Sequence, residues 1–115
     1  MLVAGVLGLV VGGGLGLLGL VTPARAQRFV GLSPSAPEGT GETRATYGGF
    51  FLGLELAAGW AWWRGSLAPM TVVGLAWLGA ALGRVVSLLV DGHRTRKNLA
   101  GVAFEAVVGL LHLAA

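Results

Sequence analysis

Arg44, Tyr47, Glu55, Arg84, Ser87, Asp91 and Glu105 are the side chains that could do chemistry in this chain, and each lies in or beside a long apolar run. An ionisable group in such a run costs several kcal/mol unless it is paired or hydrated. By the 3.6-residue period, Arg44, Tyr47, Phe51 and Glu55 share one helical face. Arg84, Ser87 and Asp91 share a second face, and Asn98, Glu105 and His112, spaced by sevens, share a third. The three faces predict one polar interior. Such an interior either binds a headgroup, quinone or other small amphiphile, or only holds the helices in register, as buried charge pairs do.

Depth along the helices sharpens this expectation. At ~1.5 Å per residue, Arg84 lies about 10 Å inward from Asp91, and Glu105 lies about 10 Å inward from Asn98. Both count from the same connection, so the spacing predicts an ion pair between Arg84 and Glu105. A second pair is expected at the rim, between Arg44 and Asp91. Glu55 is expected to reach toward Arg84 or to stay neutral among apolar neighbours. His112 is expected near the outer end with an interfacial hydrogen bond, and His93 in a solvated basic loop.

No catalytic constellation emerges. The chain has no His-Glu-x-x-His, no phosphate loop and no Gly-x-Ser-x-Gly. Gly12-Gly13-Gly14 lacks the preceding strand that a phosphate cradle needs. Two distant histidines and no cysteine predict no metal site, and the lack of cysteine excludes disulfides and thiolate chemistry. No cofactor is implied.

The elements that must position these residues follow from composition. Hydrophobic residues make up 55% of the 115 and charged residues 11%, with a mean hydropathy of +0.79. A soluble domain averages about 25% charged residues, so a water-facing surface is not expected here. The predicted fold is all-α: a transmembrane four-helix bundle in one domain, residues 1–115. Spans are expected at about 1–21, 42–63, 70–90 and 99–115, the last near the ~17-residue lower limit for crossing. Thr22-Pro23 ends the first span, and a short interfacial helix is expected over 23–30, with Gly31 as its stop. Ser33 to Gly41 reads as a loop. Ala24-Arg25-Ala26 has the form of a signal-peptide cleavage site. No Lys or Arg precedes the apolar stretch, however, and the stretch is longer than a signal core, so retention of the span is expected.

The net charge of +3 raises the question of nucleic acid. The basic residues sit in short gaps between apolar runs, which is a topology signal instead, and no nucleic-acid partner is expected. Arg25 and Arg28 fall on one side with Arg94, Arg96 and Lys97, and only Arg64 falls on the other. Positive loops face the cytoplasm, so both termini are expected outside a bacterial inner membrane. Trp60, Trp62 and Trp63 would anchor at the outer interface. Small residues repeat every four positions: Gly8, Gly12 and Gly16; Ala45, Gly49, Gly53, Ala57 and Ala61; Gly79 and Gly83. Such stripes bring helices into backbone contact. They are read first as packing inside the bundle and second as a face for a membrane-protein partner or a homodimer.

The run Glu42-Thr43-Arg44-Ala45-Thr46-Tyr47-Gly48-Gly49 with Leu52-Gly53-Leu54, and the run from Gly83 to Gly92, resemble signatures of a bacterial family of small four-helix membrane proteins described as a domain of unknown function. Pro23 with Phe29-Val30-Gly31-Leu32 resembles its first connection, and Glu105 its fourth-helix acid. The family is similar to the DoxX-like group. The resemblance implies four helices in the inner membrane and, from quinone-linked relatives, a partner-subunit role. Glu55 stands where the family pattern implies a small or apolar residue. The first functional expectation is therefore a non-enzymatic structural or accessory subunit. The second is a binding or carrier module for a small lipophilic ligand, a lipid or quinone. The third is a proton or ion conductor through Glu55, Glu105 and His112.

Overall fold

The computed structural model describes all 115 residues, and they form helices and no strand. Helix α1 spans Leu2–Val21. It stops where Thr22 leaves helical geometry ahead of Pro23, because proline disfavours helical backbone at the residue before it. Proline suits a first helical turn, and α2 runs Pro23–Val30, the expected bounds. It ends at Gly31, whose φ of 82° is the left-handed conformation that glycine adopts without strain.

Helix returns earlier than expected. α3, Glu38–Glu42, begins inside the stretch read as a loop and passes without a break into a π-helical segment, Thr43–Phe50, and then α4, Phe51–Trp63. The early turn is held by side chains. Thr43 Oγ1 donates to the Gly39 carbonyl at 2.8 Å and accepts from Gln27 Nε2 at 2.9 Å, which ties α3 to α2. α5 spans Ala68–Val90, with Pro69 in its first turn. α6 spans Arg96–Leu113 and starts three residues before the expected span. Its Thr95 cap accepts the Asn98 N–H at 3.1 Å, so the basic residues Arg96 and Lys97 form the first turn rather than a loop.

α1 acts as the spine. Its glycines meet one partner after another: Trp62 and Ala115 at Gly5, His112 at Gly8, Glu55 at Gly12, Leu52 at Gly16, and Tyr47 with Gly48 at Gly19. At the last of these, the main chains touch. A Cβ on Gly19 would lie 2.6 Å from the Tyr47 carbonyl carbon, and one on Gly48 would lie 2.6 Å from Leu20 N. α5 and α6 pair in the same way through Gly74 and Gly109, each of whose Cβ would meet the other's carbonyl oxygen at 2.9 Å.

The stripes therefore divide. The α1 stripe packs inside as expected. Ala45, Gly49, Gly53 and Ala57 are exposed, as are Gly79 and Gly83, so these two stripes do not serve the internal packing read for them. Gly74 and Gly109 do that work on α5 and α6.

The apolar core is small: Leu15, Ala58, Met70, Val73, Trp77 and Val108. Only 22 of the 115 residues are buried, and large apolar side chains such as Val10, Leu56, Val72, Leu82 and Leu89 lie open on the outer faces. Two helices, α1 and α5, are long and apolar enough to cross a membrane, with mean hydropathies of 2.1 and 1.9. Trp60 and Trp63 are exposed and in contact, with ring centroids 5.2 Å apart and planes tilted by 53°. Trp62 departs from the expected belt and packs inward against α1 and the chain's last residue.

Candidate functional site

Two polar clusters lie inside the helices. The first joins α4, α5 and α6. Glu55 is 4% exposed and His112 is 1% exposed. Glu55 Oε2 lies 2.8 Å from His112 Nε2, and Glu55 Oε1 accepts from Trp77 Nε1 at 3.0 Å. His112 Nδ1 lies 2.8 Å from the Val108 carbonyl. A carbonyl can only accept, so Nδ1 carries its hydrogen. The contact between Nε2 and Glu55 then needs one more proton, held by the acid or by the ring. Either way the pair carries no net charge, which is the condition for burying it. The glycines of α1 make the room: side chains at Gly8 and Gly12 would collide with the imidazole and the carboxylate.

This corrects two expectations. Glu55 does not reach toward Arg84, and His112 is no interfacial residue. His112 lies level with Gly8 of α1, whose lack of a side chain leaves room for the imidazole, and there it meets Glu55 of α4.

The second cluster joins α5 and α6 at the level that depth counting predicts. Arg84 Nε donates to Glu105 Oε1 at 2.8 Å, so the expected ion pair is present. Arg84 Nη1 donates to Asn98 Oδ1 at 3.3 Å. Gly101 lies under the guanidinium, where a Cβ would meet Arg84 Nε at 2.6 Å. Glu105 Oε2 is buried and has no hydrogen-bond partner. No hydrogen bond links Glu105 to the Glu55–His112 pair, so the three residues read as a pathway fall into two separate networks.

Beside this cluster opens a cavity of about 570 Å³. Its walls come from α1 (Leu15), α2 (Phe29, Val30), α4 and the π-helical segment (Phe51, Tyr47), α5 (Trp77, Ala80) and α6 (Ala100, Phe104). Phe104 meets Phe29 and Trp77 edge to face, with centroids 5.6 and 6.0 Å apart. Arg84, Lys97 and Glu105 supply its charges. Lys97 also donates to the Arg28 carbonyl and so ties the first turn of α6 to α2. A smaller cavity of about 130 Å³ lies between α4 and α5, with Glu55 and Trp77 on its wall. Trp77 thus lines both cavities while its indole N–H is held by Glu55.

Of the residues singled out from the sequence, Tyr47, Arg84 and Glu105 meet at the large cavity. Glu55 lies behind Trp77. Ser87 and Asp91 are not on the cavity wall; the Ser87 carbonyl accepts the Asp91 N–H where α5 closes. Asp91 is exposed and forms no pair with Arg44, contrary to expectation. Arg44 donates instead to the Leu20 carbonyl at the end of α1. The last carbonyls of a helix lack intrahelical partners and favour a cation, and that nearby acceptor wins over a carboxylate on α5. The π-helical segment contributes, because its wider turn breaks the 3.6-residue register that put Arg44, Tyr47 and Glu55 on one face.

Among the site residues the sequence reading missed are Phe29, Val30, Trp77, Lys97 and Phe104. Phe29 and Val30 entered only through the run that resembles the family's first connection. Lys97 was hidden in what looked like a loop.

No curated protein and no solved structure matches the chain. The chain belongs, over residues 1–115, to the family described as Domain of unknown function (DUF4345).

Proposed function

We propose that this protein is a non-enzymatic binding or carrier module for a small amphiphile, built as a transmembrane four-helix bundle. The observation that carries the reading is the cavity of about 570 Å³ between α1, α2, α4, α5 and α6, apolar and aromatic in its walls and charged at Arg84, Lys97 and Glu105. Ligand cavities fall in the range of ~300–1,000 Å³, with apolar walls and a few polar groups that orient the ligand. The unpartnered Glu105 Oε2 supports it further. Buried acceptors almost always find a donor, and a hydroxyl of a ligand or a water beside it is such a donor. A bundle serving only as a scaffold has no use for an open cavity beside the Arg84–Glu105 salt link.

The membrane reading rests on surface and shape. A core helix of a soluble protein is mostly buried, whereas the apolar windows of α1 and α5 are 33% and 22% buried. The molecule is 43 Å long, which suits a bilayer of ~40–45 Å including headgroups. The helix Glu38–Trp63 and α6 are the other two spans. In this reading both termini face outward, and Arg25, Arg28, Arg94, Arg96 and Lys97 lie at the cytoplasmic face of a bacterial inner membrane. The likeness to the DoxX-like group stays a proposal of kinship between small membrane bundles.

Native mass spectrometry of the full chain released from membranes in mild detergent tests the binding reading. The wild type is expected to carry a bound small amphiphile. Ala100→Trp, which fills the cavity from α6 and leaves both polar networks intact, is expected to lose it. A ligand-free mass for the wild type as well as for the variant would sink the proposal and return the chain to the scaffold reading.

A second reading, an accessory subunit or homodimer, is favoured by the outward face of Ala45, Gly49, Gly53 and Ala57. Disulfide cross-linking of Gly53→Cys in membranes tests it, and a chain that stays uncross-linked refutes a homodimer through this face.

A further inference from the structure

We infer that the head of the ligand is anionic: the cavity takes a single-chain amphiphile bearing a carboxylate or a phosphate monoester. The inference deepens the binding reading above and rests on it. Its warrant is the charge left over at the cavity. Arg84 and Glu105 neutralise each other at 2.8 Å. Lys97 also lines the cavity, and its hydrogen bond goes to a neutral main-chain carbonyl, that of Arg28. No carboxylate pairs with it. The three charged residues of the wall therefore sum to one uncompensated positive charge.

The donors point the same way. Lys97 is an ammonium with three N–H groups, of which the Arg28 carbonyl takes one. Tyr47 lines the same wall, and its hydroxyl makes no hydrogen bond within the protein. An anionic head would accept from both, and charge-assisted bonds of this kind are roughly twice as strong as neutral ones.

Position completes the argument. Lys97 lies in the first turn of α6 beside the end of α2, where the polar surface of the protein begins. Trp77, Phe51 and Leu15 line the same cavity from deeper in the helices. An amphiphile would lie with its head at Lys97 and its chain against the aromatic wall. The volume suits one chain, and a two-chain lipid is too large to enter whole. Arg28 and Arg96 stand next to this entrance in sequence and add to the positive field that draws an anion to it.

Binding of radiolabelled stearic acid, stearoyl lysophosphatidic acid and stearyl alcohol to the full chain in nanodiscs of zwitterionic lipid tests the inference. Empty discs give the partition background, and the pH is set so that the acid is ionised. At least one anion is expected to bind saturably, about tenfold tighter than the alcohol. Lys97→Gln is expected to remove most of that preference, and Lys97→Arg to keep it, with helical circular dichroism unchanged in both. Which anion binds more tightly distinguishes a carboxylate source from a phosphate source, and either supports the inference. Equal affinity for the alcohol, or a preference that survives Lys97→Gln, overturns the anionic head and leaves the binding module standing. If none of the three saturates, both readings fall.

Discussion

Replacing Glu55 and His112 singly and together tests whether the buried pair acts as one energetic unit. Glu55→Leu strips the partner from two buried groups, Trp77 Nε1 and His112 Nε2. In a soluble interior each orphaned group costs ~1–3 kcal/mol. His112→Leu leaves Glu55 Oε2 bare in a site where the residue is 4% exposed, and breaking a buried pair from one side costs ~3–5 kcal/mol. Both figures must be lowered here. In a micelle or bilayer the unfolded chain also finds partners for its polar groups, and interhelical couplings there average ~0.6 and reach ~1.7 kcal/mol. Each single variant is therefore expected to lose about 2 kcal/mol. The double variant, which orphans only the Trp77 N–H, is expected to lose about 2–3 kcal/mol. The coupling, about 1–2 kcal/mol, is the difference. Glu55→Gln is the informative control. Its amide can accept from Trp77 and donate to His112 Nε2, so both hydrogen bonds survive and the loss should stay below ~1 kcal/mol. Unfolding by sodium dodecyl sulfate from dodecyl maltoside micelles, followed by circular dichroism, measures all four. Additivity within ~0.5 kcal/mol would refute the unit. A Gln variant as weak as the Leu variant would refute the proton-sharing geometry and require a full ion pair.

The glycine spine and the second pair yield further tests. Gly12→Ala should destabilise the fold by about 1–3 kcal/mol through collision with the Glu55 carboxylate, while Gly14→Ala, with open space around it, should be within ~0.5 kcal/mol of wild type; equal losses in the same assay would contradict the packing described. Gly48→Ala drives a methyl into the Leu20 main chain and should loosen α1 from the π-helical segment, seen as faster amide exchange over Thr43–Phe50. Arg84→Leu and Glu105→Leu should each cost more than their double variant exceeds either one, because each single leaves a bare charge; a double variant equal to the sum of the singles would remove the pair as an energetic unit. Cysteine placed at His93 should be protected from impermeant reagents added outside intact cells, and labelling there would reverse the proposed topology.

The contrast between the two polar clusters explains what the sequence could carry. Arg84 and Glu105 lie on consecutive helices joined by a short connection, so counting from that connection locates both on one scale. Glu55 and His112 are 57 residues apart, and each has to be counted from a different helix end. Ala115 and Trp62 meet at Gly5, so His112, three residues before the one, lies about 4–5 Å below that level, and Glu55, seven before the other, about 10 Å below it. The two extended side chains span the remaining offset. Arg44 failed for a different reason. Its nearest acceptor is a main-chain carbonyl, and the helix that presents Arg44 is wound as a π-helix where the sequence shows only Gly48-Gly49 as a permissive site. The cavity was the least legible feature, because a cavity is defined by where side chains do not meet. Its polar end could be read from Tyr47, Arg84 and Glu105. Its walls come from helices whose mutual distances are set by Gly19 of α1 against Gly48 and by Gly74 of α5 against Gly109 of α6. Of those four glycines, only Gly48 fell in a recognised signature run, and Gly74 and Gly109 belong to no stripe at all. The same composition that let close pairs form also made them indistinguishable from the outward-facing glycines of α4 and α5. A polar face can be read from periodicity, but the space beside it depends on which glycines are in contact, and that is a property of the packed helices.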